Sequence, residues 1–188
     1  YTENLGMAVQ IDTVILGSSG TLIYEPRFTY HGFRYVEVKG LRKQPDKSIL
    51  EAKVVASDQP RTGYFSCSNP MLNQLYKNIM RSHVSNMHGV PTDCPQRDER
   101  CGWMGDAFIF AQASIFNRDM AAFYNKWMVD IMDAQSERGT FPDIAPHPFA
   151  YEKHFTGVPG WADAGIQVPV ILYQNYGNIE IIKNHFEA

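Results

Sequence analysis

The apolar residues of this chain change their spacing once, near residues 58–65. That change limits the fold more than any other feature of the sequence. Before it, Met7–Leu16, Phe33–Val38 and Ile49–Ala56 are short runs rich in β-branched and aromatic residues. Phe33, Tyr35 and Glu37 alternate against Arg34, Val36 and Val38, the two-residue period of a pleated strand. Turn-forming stretches at 17–20 and 40–47 separate the runs, as in an antiparallel sandwich.

After Pro60 the period becomes helical. Asn69 is placed to cap a helix whose first residue is Pro70, a position where the missing N–H costs nothing. Leu72, Leu75, Tyr76, Ile79, His83 and Met87 then share one face, and Gly89 and Pro91 stop the run. The pattern predicts a second helix from about Gly105-Asp106 to Phe116. A third carries Met120, Phe123, Tyr124, Trp127, Met128, Ile131 and Met132 on one side and ends by Gly139. A fourth covers about Trp161–Tyr176 with a distortion at Pro169, and a fifth spans Ile179–Ala188. The expected organisation is a β portion over residues 1–60 and serial helices over 61–188. Five helices are too few to close an α/α toroid.

Between the first two helices lies Pro91–Asp106, PTDCPQRDERCGWMGD. It holds the acids Asp93, Asp98, Glu99 and Asp106 together with Arg97, Arg100 and Trp103. A core segment does not carry four carboxylates, because unpaired buried charge is very costly. A solvated charge run needs neither tryptophan nor glycine. The mixture suits a loop that surrounds a polar ring-shaped ligand, a sugar above all. Hydrolysis of a glycoside needs one carboxylic acid to protonate the leaving oxygen and a second carboxylate opposite. Crowding by Asp93, Asp98 and Asp106 beside Trp103 favours the neutral form of Glu99. Arg97 and Arg100 would hold the other acids ionised. Those acids would accept hydrogen bonds from sugar hydroxyls while Trp103 stacks on the apolar face. The competing reading is a structural loop in which the two arginines neutralise the acids.

The net charge of −3 and the lack of a basic cluster argue against a nucleic-acid partner. No apolar run is long enough to span a bilayer. Three cysteines (Cys67, Cys94 and Cys101) do not suggest a disulfide framework, although Cys94 and Cys101 can pair. Acids crowd Cys94, which opposes a nucleophilic role with His83 or His88. Cys94, Cys101 and His88 match no zinc spacing, so no metal or cofactor is expected. Trp127 and its neighbours read as core. The long loop Thr140–Gly160, with His147, Tyr151 and His154, is either a substrate-facing flap or plain surface. Asp163 is equally a sugar ligand or a helix cap. The chain opens without a methionine, so it reads as a piece of something longer, with compartment and oligomeric state open.

CSNPMLNQLYKNI followed by VPTDCPQRDERCGWMGDA resembles the start of the catalytic domain of bacterial α-L-rhamnosidases, glycoside hydrolase family 78. YEPRFTYHGFRYVEV before it and GWADAGIQVPVILYQNYG after it resemble the same family in the same order. The resemblance implies the C-terminal strands of a β-sandwich followed by the first helices of an incomplete (α/α)6 barrel. It also implies inverting release of terminal α-L-rhamnose from a glycoside or polysaccharide. It makes Glu99 the general acid. Asp93, Arg97, Asp98, Trp103, Asp106 and Trp161 then line the rhamnose subsite. The family's base is a later glutamate, absent from this chain, and neither Glu152 nor Asp163 replaces it. The alternatives are another (α/α)6 glycosidase and a carbohydrate-binding module without turnover.

Overall fold

Asn69 begins the helical part as its sequence position predicts. Its side-chain oxygen accepts the Met71 N–H at 2.9 Å and the Leu72 N–H at 3.4 Å, capping α1 (Pro70–Asn86). The structure, a computed structural model, describes residues 2–17, 20–148 and 155–187. Glycine at 89 lets the chain reverse into a two-residue antiparallel pair, β1 (Met87–His88) and β2 (Val90–Pro91). The site loop follows, then α2 (Met104–Asn117), α3 (Ala121–Asp133), α4 (Ala164–Tyr176) and α5 (Ile179–His185). Two three-residue 3-10 turns, Glu3–Leu5 and Lys47–Ile49, interrupt the N-terminal part.

Helix α4 is the centre of the packing: it lies against α2, α3 and α5. The expected face of α3 is buried, with Tyr124, Trp127, Met128 and Ile131 fully covered. Trp127 also satisfies its indole N–H, which donates to the Ala145 carbonyl at 2.8 Å. Pro169 does not break α4; it sits buried inside the helix. Two boundaries differ from expectation. Ala134, not Gly139, caps α3, and Gly139 instead turns the chain after it. Helix α4 starts at Ala164, with Trp161 in the turn before it.

In the β portion the structure shows less regular pairing than the residue pattern predicts. Met7–Leu16, Phe33–Val38 and Ile49–Ala56 form no strand ladders among the described residues. A strand is stable only beside a hydrogen-bonded neighbour, and these three runs do not pair with one another. Their apolar side chains stay in solvent; Met7 and Ile15 are 87% and 89% exposed. Among the described residues, no helix is long and apolar enough to cross a membrane.

Candidate active site

The acidic loop is pinned at its base. Asp93 N–H donates to the Cys101 carbonyl at 3.2 Å, and Asp93 Oδ1 accepts the Cys101 N–H at 3.0 Å. One step further on, Gly102 meets the segment that follows the third helix. Its carbonyl accepts the Ala145 N–H at 2.9 Å, and a β-carbon at 102 would stand 2.1 Å from the Ala145 oxygen. Glycine is therefore required there by close approach of two backbones. The loop so held adopts a costly conformation at its tip. Glu99 and Arg100 have φ of 78° and 46°, the left-handed region that non-glycine residues avoid at about 1–3 kcal/mol each. Two consecutive residues in that region persist only where the surrounding structure fixes them.

This backbone brings Glu99 to Asp93. Ligating atoms of Asp93, Cys94 and Glu99 lie within 4.8 Å of one another. The pKa of Glu99 is raised. Partial loss of solvent contributes most, followed by the hydrogen bond and the charge of Asp93, with Asp106 adding to them. Arg97 opposes the shift, its Nη2 2.6 Å from Glu99 Oε2. Arg97 was expected to neutralise the other acids; it pairs with the acid itself. The pair is half in water, with the Glu99 side chain 40% exposed, so it adds little to stability.

Asp106 lies in the first turn of α2, and its pKa is raised by burial and by the charge of Asp93. Asp93 and Asp106 line one end of a cleft of about 450 Å³ between α1 and α2. Leu75, Ile79, Ala107 and Phe110 form its apolar walls, and Glu99 stands outside the lining, beside Asp93. Two indoles flank the start of α2. Trp103 precedes its first residue and meets Phe155 edge-on, with centroids 5.2 Å apart. Trp161 covers Gly105 so closely that a β-carbon there would lie 3.0 Å from three indole atoms. Trp161 keeps 38% of its surface exposed, which leaves area for a ligand.

The structure thus brings Asp93, Arg97 and Glu99 together, with Asp106 near in charge and both tryptophans at the same helix end. It does not bring Asp98. That carboxylate accepts the Met7 N–H at 2.9 Å. Asp163 occupies the N-cap position of α4 without a side-chain cap bond; its side chain accepts the Gly160 N–H at 3.0 Å instead. Burial raises the Cys94 thiol, which keeps it protonated and unsuited to nucleophilic attack. The donor atoms of Asp93, Cys94 and Glu99 are close enough together to reach a single metal ion.

Asp143 is a site support that the sequence reading missed. It is 1% exposed, accepts the Val158 N–H at 2.9 Å, and its carbonyl takes the first N–H of α2, that of Met104, at 2.8 Å. Its position inside the long loop hid it; the flanking Pro142 and Pro146 were the available signal. Of that loop, Tyr151 and His154 lie outside the described residues, as does Glu152.

Residues 60–188 match the model of the bacterial alpha-L-rhamnosidase six-hairpin glycosidase domain, and residues 1–56 match the family's concanavalin-like domain. The chain belongs to the bacterial alpha-L-rhamnosidase family. It is 44% identical to an alpha-L-rhamnosidase of Streptomyces avermitilis over 98% of this chain and 18% of that protein. It is 36% identical to one from Formosa agariphila over 100% of this chain and 20% of that protein. The chain therefore spans about a fifth of these rhamnosidases' length. Among solved structures, the alpha-L-rhamnosidase from Dictyoglumus thermophilum aligns with a TM-score of 0.82 at 46% identity, covering 87% of this chain and 18% of that one. The Streptomyces avermitilis enzyme complexed with L-rhamnose also gives 0.82, at 43% identity, covering 87% and 16%.

Proposed function

We propose that this chain carries the general-acid half of an inverting α-L-rhamnosidase site, with residues 1–60 the end of a β-sandwich and 61–188 the opening helices of an (α/α)6 barrel. One observation supports this above the others. Glu99 is held on a left-handed backbone against Asp93, in surroundings that raise its pKa. An acid that protonates a glycosidic oxygen needs that property near neutral pH. L-Rhamnose bound to a homologue supports a terminal α-L-rhamnoside as the substrate.

In this reading Asp93 and Asp106 accept hydrogen bonds from rhamnose hydroxyls at the end of the cleft. Trp103 and Trp161 form apolar walls for the ring. Rhamnose hydroxyls draw Arg97 off Glu99, and loss of that cation beside the carboxyl raises its pKa further as the site fills. Glu99 then donates its proton to the departing oxygen. A base from outside these residues activates water on the opposite face, about 6.5–9.5 Å from the acid as inversion requires. The Arg97–Glu99 ion pair is also what a binding module without turnover would display, so the two readings need separation.

The test is hydrolysis of p-nitrophenyl α-L-rhamnoside by the protein expressed from its full open reading frame. Glu99→Gln should lower kcat by about 10²–10⁴-fold. Equal rates for the variant and wild type would remove Glu99 from the acid role. A wild type that binds rhamnose in calorimetry yet releases no nitrophenol would leave the binding module.

A further inference from the structure

Asp98 stands in sequence between Arg97 and Glu99, yet its carboxylate faces the N-terminal segment. Asp98 Oδ2 accepts the Met7 N–H at 2.9 Å, and a β-carbon at Gly6 would lie 2.7 Å from the same oxygen. The contact is one of three along a seam. The Gln10 side-chain amide donates to the Gln96 carbonyl, and a β-carbon at Gly32 would sit 2.7 Å from the Pro95 oxygen. The seam has its own brace, since His31 Nε2 and Asp12 Oδ2 are 3.1 Å apart and join its two N-terminal strips. Every anchor falls on residues 95–98, immediately before the left-handed pair Glu99 and Arg100.

We propose that Asp98 is a positioning residue. It ties the acid loop to the N-terminal segment at Met7 and so fixes the backbone that points Glu99 at Asp93. The base of the loop is set by Asp93 and Cys101, but those bonds hold only its ends. A strained tip needs a third fixed point, and the Met7 N–H supplies it from outside the helical part. The N-terminal segment thereby takes part in acid catalysis without touching the sugar. This inference rests on Glu99 being the general acid.

The test compares Asp98→Ala, Asp98→Asn, Gly6→Ala and Glu99→Gln in the protein expressed from its full open reading frame. The substrates are methyl, p-nitrophenyl and 2,4-dinitrophenyl α-L-rhamnosides. A misaimed acid hurts poor leaving groups most, because dinitrophenolate departs with little help from a proton. Asp98→Ala should lower kcat by about 10–100-fold on the methyl glycoside and by less than about threefold on the dinitrophenyl one, with KM nearly constant. Asp98→Asn should recover most of the rate, since its amide oxygen still accepts the Met7 N–H. Gly6→Ala should reproduce the Asp98→Ala pattern from the other side of the contact, and it carries the test if Asp98→Ala fails to fold. A raised KM with equal losses on all three substrates would make Asp98 a sugar ligand and overturn the tether. Wild-type kinetics for Asp98→Ala or Gly6→Ala, beside an inactive Glu99→Gln, would overturn it while leaving the acid in place. Full activity in Glu99→Gln would remove both.

Discussion

A carboxyl that must carry a proton at working pH is set by neighbours of both signs, and position 99 has both within reach. Loss of solvent and Asp93 push its pKa up, while Arg97 pulls it down. An acid catalyst works only while protonated, so its rate falls as pH rises through its pKa. Arg97→Gln removes the opposing cation and should move the alkaline limb of kcat/KM to higher pH. Asp93→Asn removes the neighbouring charge and should move it to lower pH. Opposite displacements in the pH profiles would bear this out; shifts of the same sign would assign that limb to another group. The clustering of these acids was plain from PTDCPQRDERCGWMGD, because four carboxylates in sixteen residues have few uses. The partner of each acid was not. Whether Arg97 or a backbone N–H faces a given carboxyl depends on φ at positions 99 and 100, and adjacency in sequence does not fix that angle.

At the level of elements, the buried polar side chain of His83 joins α1 to α2 beside the cleft. His83 of α1 is 2% exposed, meets Phe110 of α2 edge-on at 5.2 Å, and among the described residues has no hydrogen-bond partner on either ring nitrogen. Burial, with help from Arg118, lowers its pKa from 6.5 to about 4. The sign of the linkage follows. Above pH 6.5 the imidazole is neutral in both folded and unfolded chains and costs nothing. Between 6.5 and about 4 the unfolded chain takes up a proton that the folded one refuses, so stability falls as pH falls. The loss approaches about 3 kcal/mol at the acid end of that window. His83→Leu should abolish this dependence, giving urea midpoints at pH 7 and pH 4.5 closer together than in wild type. A variant with the same acid sensitivity as wild type would show that His83 is not its source. The helix carrying His83 was legible because Asn69, Pro70 and a 3.6-residue period are local signals. The three N-terminal runs are a different case: their alternation is a local signal, but a ladder also needs a partner strand that local pattern cannot name.

On the scale of the whole molecule, the question is whether a chain covering about a fifth of its relatives' length can act alone. The described structure has a packed centre around α4 and an edge that is not packed. Met71, Leu72 and Leu75 of α1 and Ile109 and Phe116 of α2 are exposed, as are the apolar side chains of residues 7–16. Exposed apolar side chains in this number favour binding of dyes and of other copies of the chain. The proposed chemistry adds a second limit: the acid, its orienting neighbours and the aromatic walls lie within these residues, but no base has been assigned among them. Expressed as these 188 residues only, the protein should therefore enhance 1-anilinonaphthalene-8-sulfonate fluorescence, run larger than a monomer in size-exclusion light scattering, and release no nitrophenol from p-nitrophenyl α-L-rhamnoside. Turnover by this chain that disappears in Glu99→Gln would mean that both carboxyls of the reaction lie within it. The search for the second would then begin with the acids nearest the cleft, Asp93 and Asp106. Rhamnose binding without turnover is the outcome that follows from half a site: hydroxyl contacts need only one wall of the sugar ring, whereas inversion needs a carboxylate on each side of it.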